Sequence, residues 1–298
     1  MVDVSVIIPT YGIPHYLERA INSVLNQTLR NLELFVVDDN NPETEARKET
    51  EKLIASFSDE RLHYLKHPKN LNGAVARNTG IAKAKGKYIA FLDSDDEYKA
   101  ERLQKCFDVM ENADSSVAGV YTGCEFKRSG ETYYTHTDVT AGNFLLKTLA
   151  CTFMFCTGSN IFVRSNAVQE INGFDGTFLR HQDYEFLSRI FEKYSLEAIQ
   201  EVLVIKNNDN VNLPNVEKMI DIKKQYLLKF ASVIQQMPED NKEYIYHSQY
   251  IQIAEAAQKT RKYKLANQYY KKAKNQGGLS IKEQLRRIVF WGQNLIRR

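Results

Sequence analysis

Residues 88–97 read YIAFLDSDDE. The first five, Tyr88 to Leu92, are apolar enough for a strand buried on both faces. The last five hold Asp93, Asp95, Asp96 and Glu97, interrupted only by Ser94. Carboxylates packed this closely repel one another, so the end of this strand requires an opposing cation or a donor-rich ligand. The sequence around it shows where such a partner could come from.

Upstream, VSVIIP (Val4 to Pro9) is another continuously apolar run, closed by a proline. Leu17, Ile21, Val24 and Leu25 follow at helical spacing. LELFVVDD (Leu32 to Asp39) reads as a second buried strand, Glu43 to Phe57 as a surface helix, and RLHYLKH (Arg61 to His67) as a shorter strand. GAVARNTGIAKAKG (Gly73 to Gly86) reads as a helix closed by its last glycine. Alternating strands and helices predict an α/β fold, a mainly parallel Rossmann-like sheet flanked by helices. In such sheets ligands bind beyond the carboxyl ends of the strands. Asp38-Asp39 and Asp93-Ser94-Asp95-Asp96 both fall there, on one edge. Oxygen donors without a nearby Cys or His pair suit Mg²⁺ or Mn²⁺, which in turn commonly hold a diphosphate. A competing reading makes Asp95 or Asp96 the cap of a helix starting at Glu97.

Further along, VAGVYTGCEF and ETYYTHTDV flank Ser129-Gly130 as a hairpin, and TGSNIFVR (Thr157 to Arg164) reads as a strand. Asp183 opens the amphipathic helix Gln182 to Tyr194, where a carboxylate gains from the helix dipole. After about residue 212 only helical patterns remain: Val216 to Gln236, Glu239 to Lys259, Lys262 to Lys274 and Ile281 to Arg298. The expected domains are therefore 1–212, α/β, and 213–298, helical. The last helix joins Leu285, Ile288, Val289, Trp291, Leu295 and Ile296 with four arginines, as a membrane-surface helix would. The apolar run LACTFMFC (Leu149 to Cys156) offers a second greasy surface. These stretches would serve peripheral membrane contact or a homodimer.

With 298 residues, 43% hydrophobic and 26% charged, the composition is that of a folded protein. A net charge of +3 is too small to suggest a nucleic-acid partner. No stretch has the length and apolarity of a signal peptide or a membrane span, so a cytoplasmic or inner-face location is expected. Cys106, Cys124, Cys151 and Cys156 form no CxxC pair and are read as buried free thiols. Histidines in no HxH or HExxH pattern leave zinc hydrolysis unsupported.

The ordered segments SVIIPTYG, YLERAINSVLNQT, LELFVVDDNN, NGAVARNTGIAKAKGKYIAFLDSDD, GSNIFVR, GFD and QDYEF closely resemble family-two inverting glycosyltransferases with a GT-A fold. The resemblance covers residues 3 to 205 and leaves the helical tail outside. It implies that Pro9, Thr10 and Tyr11 pack on the donor nucleobase and that Asp39 accepts the uracil N3 hydrogen. Arg77 is placed near the nucleotide, and Asp93, Ser94 and Asp95 match the DxD signature. Within that signature Asp95 would ligate Mn²⁺ or Mg²⁺ and Asp93 would lie nearer the ribose, with Asp96 beside it nearer the sugar or metal. Gly158 and Ser159 are placed near donor sugar and acceptor, and Asp183 as the general base. The implied activity moves a sugar from a nucleotide-sugar, most simply a UDP-sugar, to a hydroxyl of a glycan or lipid-linked acceptor. The sequence departs from the pattern at Gly12, often Asn in the family, and at DDNNPET, often DDGSxD. The rival readings are a sugar nucleotidyltransferase, which would show a Gly-rich phosphate loop with a Lys, and a non-catalytic nucleotide-binding or scaffold protein.

Overall fold

The computed structural model describes residues 2–209, 215–281, 283 and 284. Residue 212 and the basic segment 285–298, with its expected membrane helix, lie outside the described residues. The chain divides into two compact units. One comprises residues 1–144 and 154–211, the other residues 145–153 and 212–298.

The first unit is built on nine strands among the described residues: β1 (Val4–Thr10), β2 (Leu32–Asp38), β3 (Leu62–Lys66), β4 (Tyr88–Phe91), β5 (Glu97–Tyr98), β6 (Val117–Arg128), β7 (Glu131–His136), β8 (Phe162–Arg164) and β9 (Ser195–Asn207). Their order is β3-β2-β1-β4-β8-β6-β9-β5, with β7 pairing on β6. The first four run parallel, and β6 runs parallel to β9; β8, β5 and β7 are antiparallel to their neighbours. The result is a mixed, mainly parallel α/β sheet with flanking helices.

Helices α1 (Leu17–Leu25), α2 (Glu45–Ile54), α3 (Gly73–Ile81), α4 (Arg102–Asn112), α6 (Ser165–Glu170) and α7 (Gln182–Phe191) belong to this unit; α5 (Leu145–Leu149) belongs to the other. The start of α1 has no side-chain cap, a loss of about 1 kcal/mol. Burying Leu17, Ile21, Val24 and Leu25 contributes about 1.5–3 kcal/mol each, so packing decides this helix. In the sheet, Ile7 is in register with both Phe35 and Phe91. That register brings the residues following β1, β2 and β4 to one edge.

The second unit packs α10 (Glu239–Lys259) against α11 (Tyr263–Lys274) through Ile253, Ala257, Tyr269 and Tyr270. The single helix expected over Val216 to Gln236 is two, α8 (Val216–Lys229) and α9 (Ala231–Gln235), meeting at Phe230. Lys223 is fully buried and donates to the carboxamides of Gln249 and Gln252 at 2.6 and 2.8 Å. Those carboxamides donate in turn to the carbonyls of Leu149 and Ala150, which ties residues 145–153 into this helical core.

Several expectations are corrected. Cys124 and Cys156 are disulfide-bonded, and only Cys106 and Cys151 are free thiols. The all-thiol reading rested on compartment, whereas the fold brings the two Cα atoms within 6.5 Å, inside bridging range. The strand expected over Thr157 to Arg164 begins only at Phe162. Gly158–Asn160 form a 3₁₀ turn, capped where the Thr157 hydroxyl accepts from Ser159 N–H. Strand β9 was not singled out from the sequence at all. No helix starts at Glu97, which is strand, so the capping reading of Asp95 and Asp96 falls.

Helix α3 ends at Ile81 rather than at Gly86. Gly86 serves a close approach instead: a Cβ there would stand 2.4 Å from Ser5 N and 2.7 Å from Tyr88 O. Gly86→Ala should therefore lower the free energy of unfolding by about 1–3 kcal/mol, read from denaturant midpoints.

Candidate active site

Asp93, Asp95 and Asp96 leave the end of β4 with carboxylate oxygens lying within 4.8 Å of one another. Each is answered differently. Asp93 accepts from Arg77 Nη2 at 2.6 Å and from Thr157 at 3.4 Å. Asp96 is fully buried; it accepts from Ser159 Oγ at 2.6 Å, Lys206 Nζ at 3.3 Å and the backbone N–H of Asn207 at 3.1 Å. Among the described residues, no other residue donates to the Asp95 carboxylate. Its backbone carbonyl accepts from Arg19 and Asn207.

These surroundings split the three acids. Burial raises the Asp93 pKa, but Arg77 and then Lys206 outweigh it and hold the group below the ordinary aspartate value. Burial pushes Asp96 up to about 7, with Lys206 opposing and Asp93 and Asp95 adding to the rise. Asp95 is raised by burial, Lys206 again opposing. Burial works against the Lys206 ammonium, yet Asp96, Asp93 and Asp95 together hold its pKa above the usual lysine value.

The acids after β2 are closed rather than open. Buried Asp38 pairs with Arg47 Nε at 2.8 Å and accepts from the Tyr64 hydroxyl. Asp39 accepts four bonds: on Oδ1 from His67 Nδ1 and Leu71 N–H, both at 2.7 Å, and on Oδ2 from Asn70 Nδ2 and Asn72 N–H, both at 2.9 Å. The expected convergence of two acid clusters on a ligand is therefore half met, because the protein itself answers Asp38 and Asp39. Asn72 goes on to cap α3, accepting from Ala74 and Val75, so the Asp39 loop sets the start of the helix that carries Arg77.

Arg77 joins two elements, reaching Asp93 with Nη2 and the Gln182 carboxamide oxygen with Nη1 at 3.0 Å. Asp183 follows Gln182 at the start of α7. Its carboxylate accepts from the adjacent Tyr184 N–H at 2.9 Å, and among the described residues no donor from another element bonds it. Burial raises its pKa, with the Tyr184 N–H and Arg77 offsetting part of the rise. A Cβ on Gly158 would lie 3.8 Å from that of Asp183, so the 3₁₀ turn runs beside that carboxylate.

A cavity of about 390 Å³ is lined by Pro9, Thr10, Tyr11, Ile13, Pro14, Tyr16, Leu17, Asp39, Gly73, Ala76, Arg77, Asp93, Ser94, Asp95 and Lys206. Eight of the expected site residues meet there: Pro9, Thr10, Tyr11, Asp39, Arg77, Asp93, Ser94 and Asp95. Asp96 and Ser159 are fully buried, bonded to each other, and do not line the cavity. Asp183 and Gly158 are not part of the lining. Lys206 is the cavity residue that sequence patterning missed, since it lies in the unrecognised strand β9, 110 residues from Asp96. A second depression of about 500 Å³, lined by residues of α1 and by Glu97, Tyr98 and Ala100, holds none of the acid triad.

The donors present fit a hard divalent ion: oxygen-only ligands, with Asp95 left open by the protein.

Residues 5–171 match the family model for glycosyl transferase family 2, more than half of the chain. The chain belongs to that family. This glycosyltransferase is 30% identical over 242 residues to an uncharacterized glycosyltransferase of Methanocaldococcus jannaschii, covering 77% of this chain and 78% of that protein. It is 38% identical over 122 residues to the putative teichuronic acid biosynthesis glycosyltransferase TuaG of Bacillus subtilis, 40% of this chain and 46% of the relative. It is 40% identical over 107 residues to the Escherichia coli UDP-Glc:alpha-D-GlcNAc-diphosphoundecaprenol beta-1,3-glucosyltransferase WfgD, 36% of this chain and 40% of the relative. Its fold is similar to that of S. aureus TarS 1-349 in complex with UDP-GlcNAc, with a TM-score of 0.58, 15% identity, and 92% and 89% of the two chains covered.

Removing the Asp39 carboxylate strands the backbone amides of Leu71 and Asn72 and the buried His67 ring N–H, while Asn70 Nδ2 keeps the Asp39 carbonyl. Asp39→Ala should lower unfolding free energy by about 2–4 kcal/mol, read by chemical denaturation in the absence of ligand.

Proposed function

We propose that this glycosyltransferase transfers a sugar, with inversion, from a UDP-sugar to a hydroxyl of a glycan or lipid-linked acceptor, assisted by Mn²⁺ or Mg²⁺. One observation carries the reading. Asp95, whose carboxylate accepts no bond from another residue among those described, stands on the same cavity as two cations, Arg77 and Lys206, and Arg77 links that cavity to the start of α7, where Asp183 is bonded only by the adjacent Tyr184 N–H among those residues.

The residues take complementary parts. Pro9, Thr10 and the exposed Tyr11 offer a surface for the base. Asp39 accepts the base N3–H on Oδ2 in place of the Asn70 carboxamide, a side-chain donor that can swing away without stranding a backbone amide. Asp93, Asp95 and Ser94 would hold the divalent ion and the ribose-diphosphate, with Arg77 and Lys206 on the diphosphate. When bound, such an ion supplies positive charge against the departing diphosphate.

Asp183 takes the proton from the acceptor hydroxyl. The freed oxygen attacks the anomeric carbon on the face opposite the leaving diphosphate, which inverts its configuration. Asp96 and Ser159 act from behind, fixing the turn at Gly158 beside Asp183.

The names of the relatives, one acting on a diphosphoundecaprenol-linked sugar and one assigned to teichuronic acid biosynthesis, support a surface-polysaccharide role with a lipid-linked acceptor. No helix among the described residues is long and apolar enough to cross a membrane, so contact at the inner face would be peripheral.

Thermal shift with UDP, GDP, CDP and dTDP, each with and without Mn²⁺, tests the donor class; stabilisation is expected from UDP with Mn²⁺. Asp95→Ala should abolish the metal-dependent part of that shift. Asp183→Asn should leave UDP binding intact and lower kcat about 10²–10⁴-fold, and full activity in that variant would refute the base assignment. Because the Asp183 pKa is raised, its reactive carboxylate form is lost as pH falls through a value above 3.8. The acid limb of the kcat profile should therefore lie above that value and vanish in the residual rate of Asp183→Asn.

A further inference from the structure

Lys206 already occupies the gap that a divalent ion would share. Its ammonium lies 3.3 Å from Asp96 Oδ2 and 3.8 Å from Asp93 Oδ2, and its side chain is 20% exposed. The backbone beneath it is held fast. Asn207 donates its N–H to Asp96 and its carboxamide to the Asp95 carbonyl, while β5 pairs with β9 at Glu97–Ile205 and Tyr98–Val204. The ammonium can therefore leave the carboxylates by rotating its four-carbon stem, with no shift of the strand. Arg77 lacks that freedom, being engaged at both Asp93 and Gln182.

An ammonium and a divalent ion on one carboxylate edge repel strongly. Without nucleotide, an arriving ion would displace Lys206 and leave its charge without a partner in the cavity. A diphosphate supplies that partner, because its oxygens accept from the same amine that the ion has displaced.

We infer that Lys206 is an exchangeable counter-cation, which neutralises Asp93 and Asp96 in the nucleotide-free protein and turns to a phosphate oxygen when diphosphate and divalent ion enter together. This inference rests on the donor-site reading above. It makes ion and nucleotide bind cooperatively, and by linkage each raises the affinity of the other equally.

Isothermal titration of Mn²⁺ alone, UDP alone, and UDP at saturating Mn²⁺ tests it on the wild type, Lys206→Met and Lys206→Arg, each shown folded by its thermal transition. In Lys206→Met, Mn²⁺ alone should bind at least about 5-fold tighter, within the range of ordinary site couplings. UDP with Mn²⁺ should bind about tenfold weaker in that variant, while Lys206→Arg should stay near wild type on both counts.

Unchanged affinities in Lys206→Met overturn the inference and leave the donor reading standing. Weaker binding of Mn²⁺ alone overturns it too, and so does equal loss of both ligands in Met and Arg variants, which marks a purely structural lysine. A wild type that binds UDP equally well with and without Mn²⁺ overturns the exchange. A folded wild type that binds no UDP under any condition defeats the donor reading itself.

Discussion

Three carboxylates converge where β4 ends, and much of the site is arranged to make that tolerable. The donors that hold them come from distant parts of the chain: Arg77 from α3, Thr157 and Ser159 from the turn before β8, and Lys206 and Asn207 from β9. Each acid then acquires a separate character from its neighbours. Asp93 is held ionised by a guanidinium, Asp96 is buried among donors, and Asp95 faces the cavity with no donor from another residue among those described. A cluster of identical residues thus becomes one buried acid, one paired acid and one acid open to the cavity.

The other acidic pair shows the opposite solution. Asp38 is matched by Arg47, whose guanidinium also donates to the carbonyls of Asp38, Asn40 and His67. Asp39 is matched by its loop. Breaking such an arrangement leaves buried donors with no acceptor, which costs more than the net worth of the bonds. The acids at the end of β2 are therefore held by the protein's own donors, whereas Lys206 at the cavity is partly exposed on a long stem.

What the sequence displayed was local. Continuous apolar runs marked β1, β2 and β4, and Leu17, Ile21, Val24 and Leu25 marked α1, because strand and helix periods are written in neighbouring residues. The hairpin at Ser129-Gly130 was legible for the same reason; both residues take positive φ. The acid cluster, Arg77 and Asp183 were legible as parts of ordered motifs. Pairings across long separations were not. Lys206 meets Asp96 through β9, whose alternation is blurred by Glu197, Gln200 and Glu201, and Cys124 meets Cys156 only through the fold. Gly158–Asn160 read as strand, whereas in the fold the Ser159 hydroxyl donates to Asp96 and the Asn160 carboxamide to the Thr122 carbonyl, partners far off in the sequence. Asp96 is fully buried while Asp95 lines the cavity, a difference that the charge pattern of the sequence does not show.

The helical unit borrows residues 145–153 from between two strands of the sheet-bearing unit. Tyr226, Gln249 and Gln252 all spend their polar atoms on carbonyls of Thr148, Leu149 and Ala150. A protein engineer who severed the chain after Val211 would not obtain two self-sufficient fragments. The amino-terminal piece would carry an apolar segment, with Leu149 and Ala150 stripped of cover, and the carboxyl-terminal piece would hold orphaned carboxamides around Lys223. Grafting this catalytic scaffold onto another tail therefore means exchanging the internal segment and the terminal helices as a set.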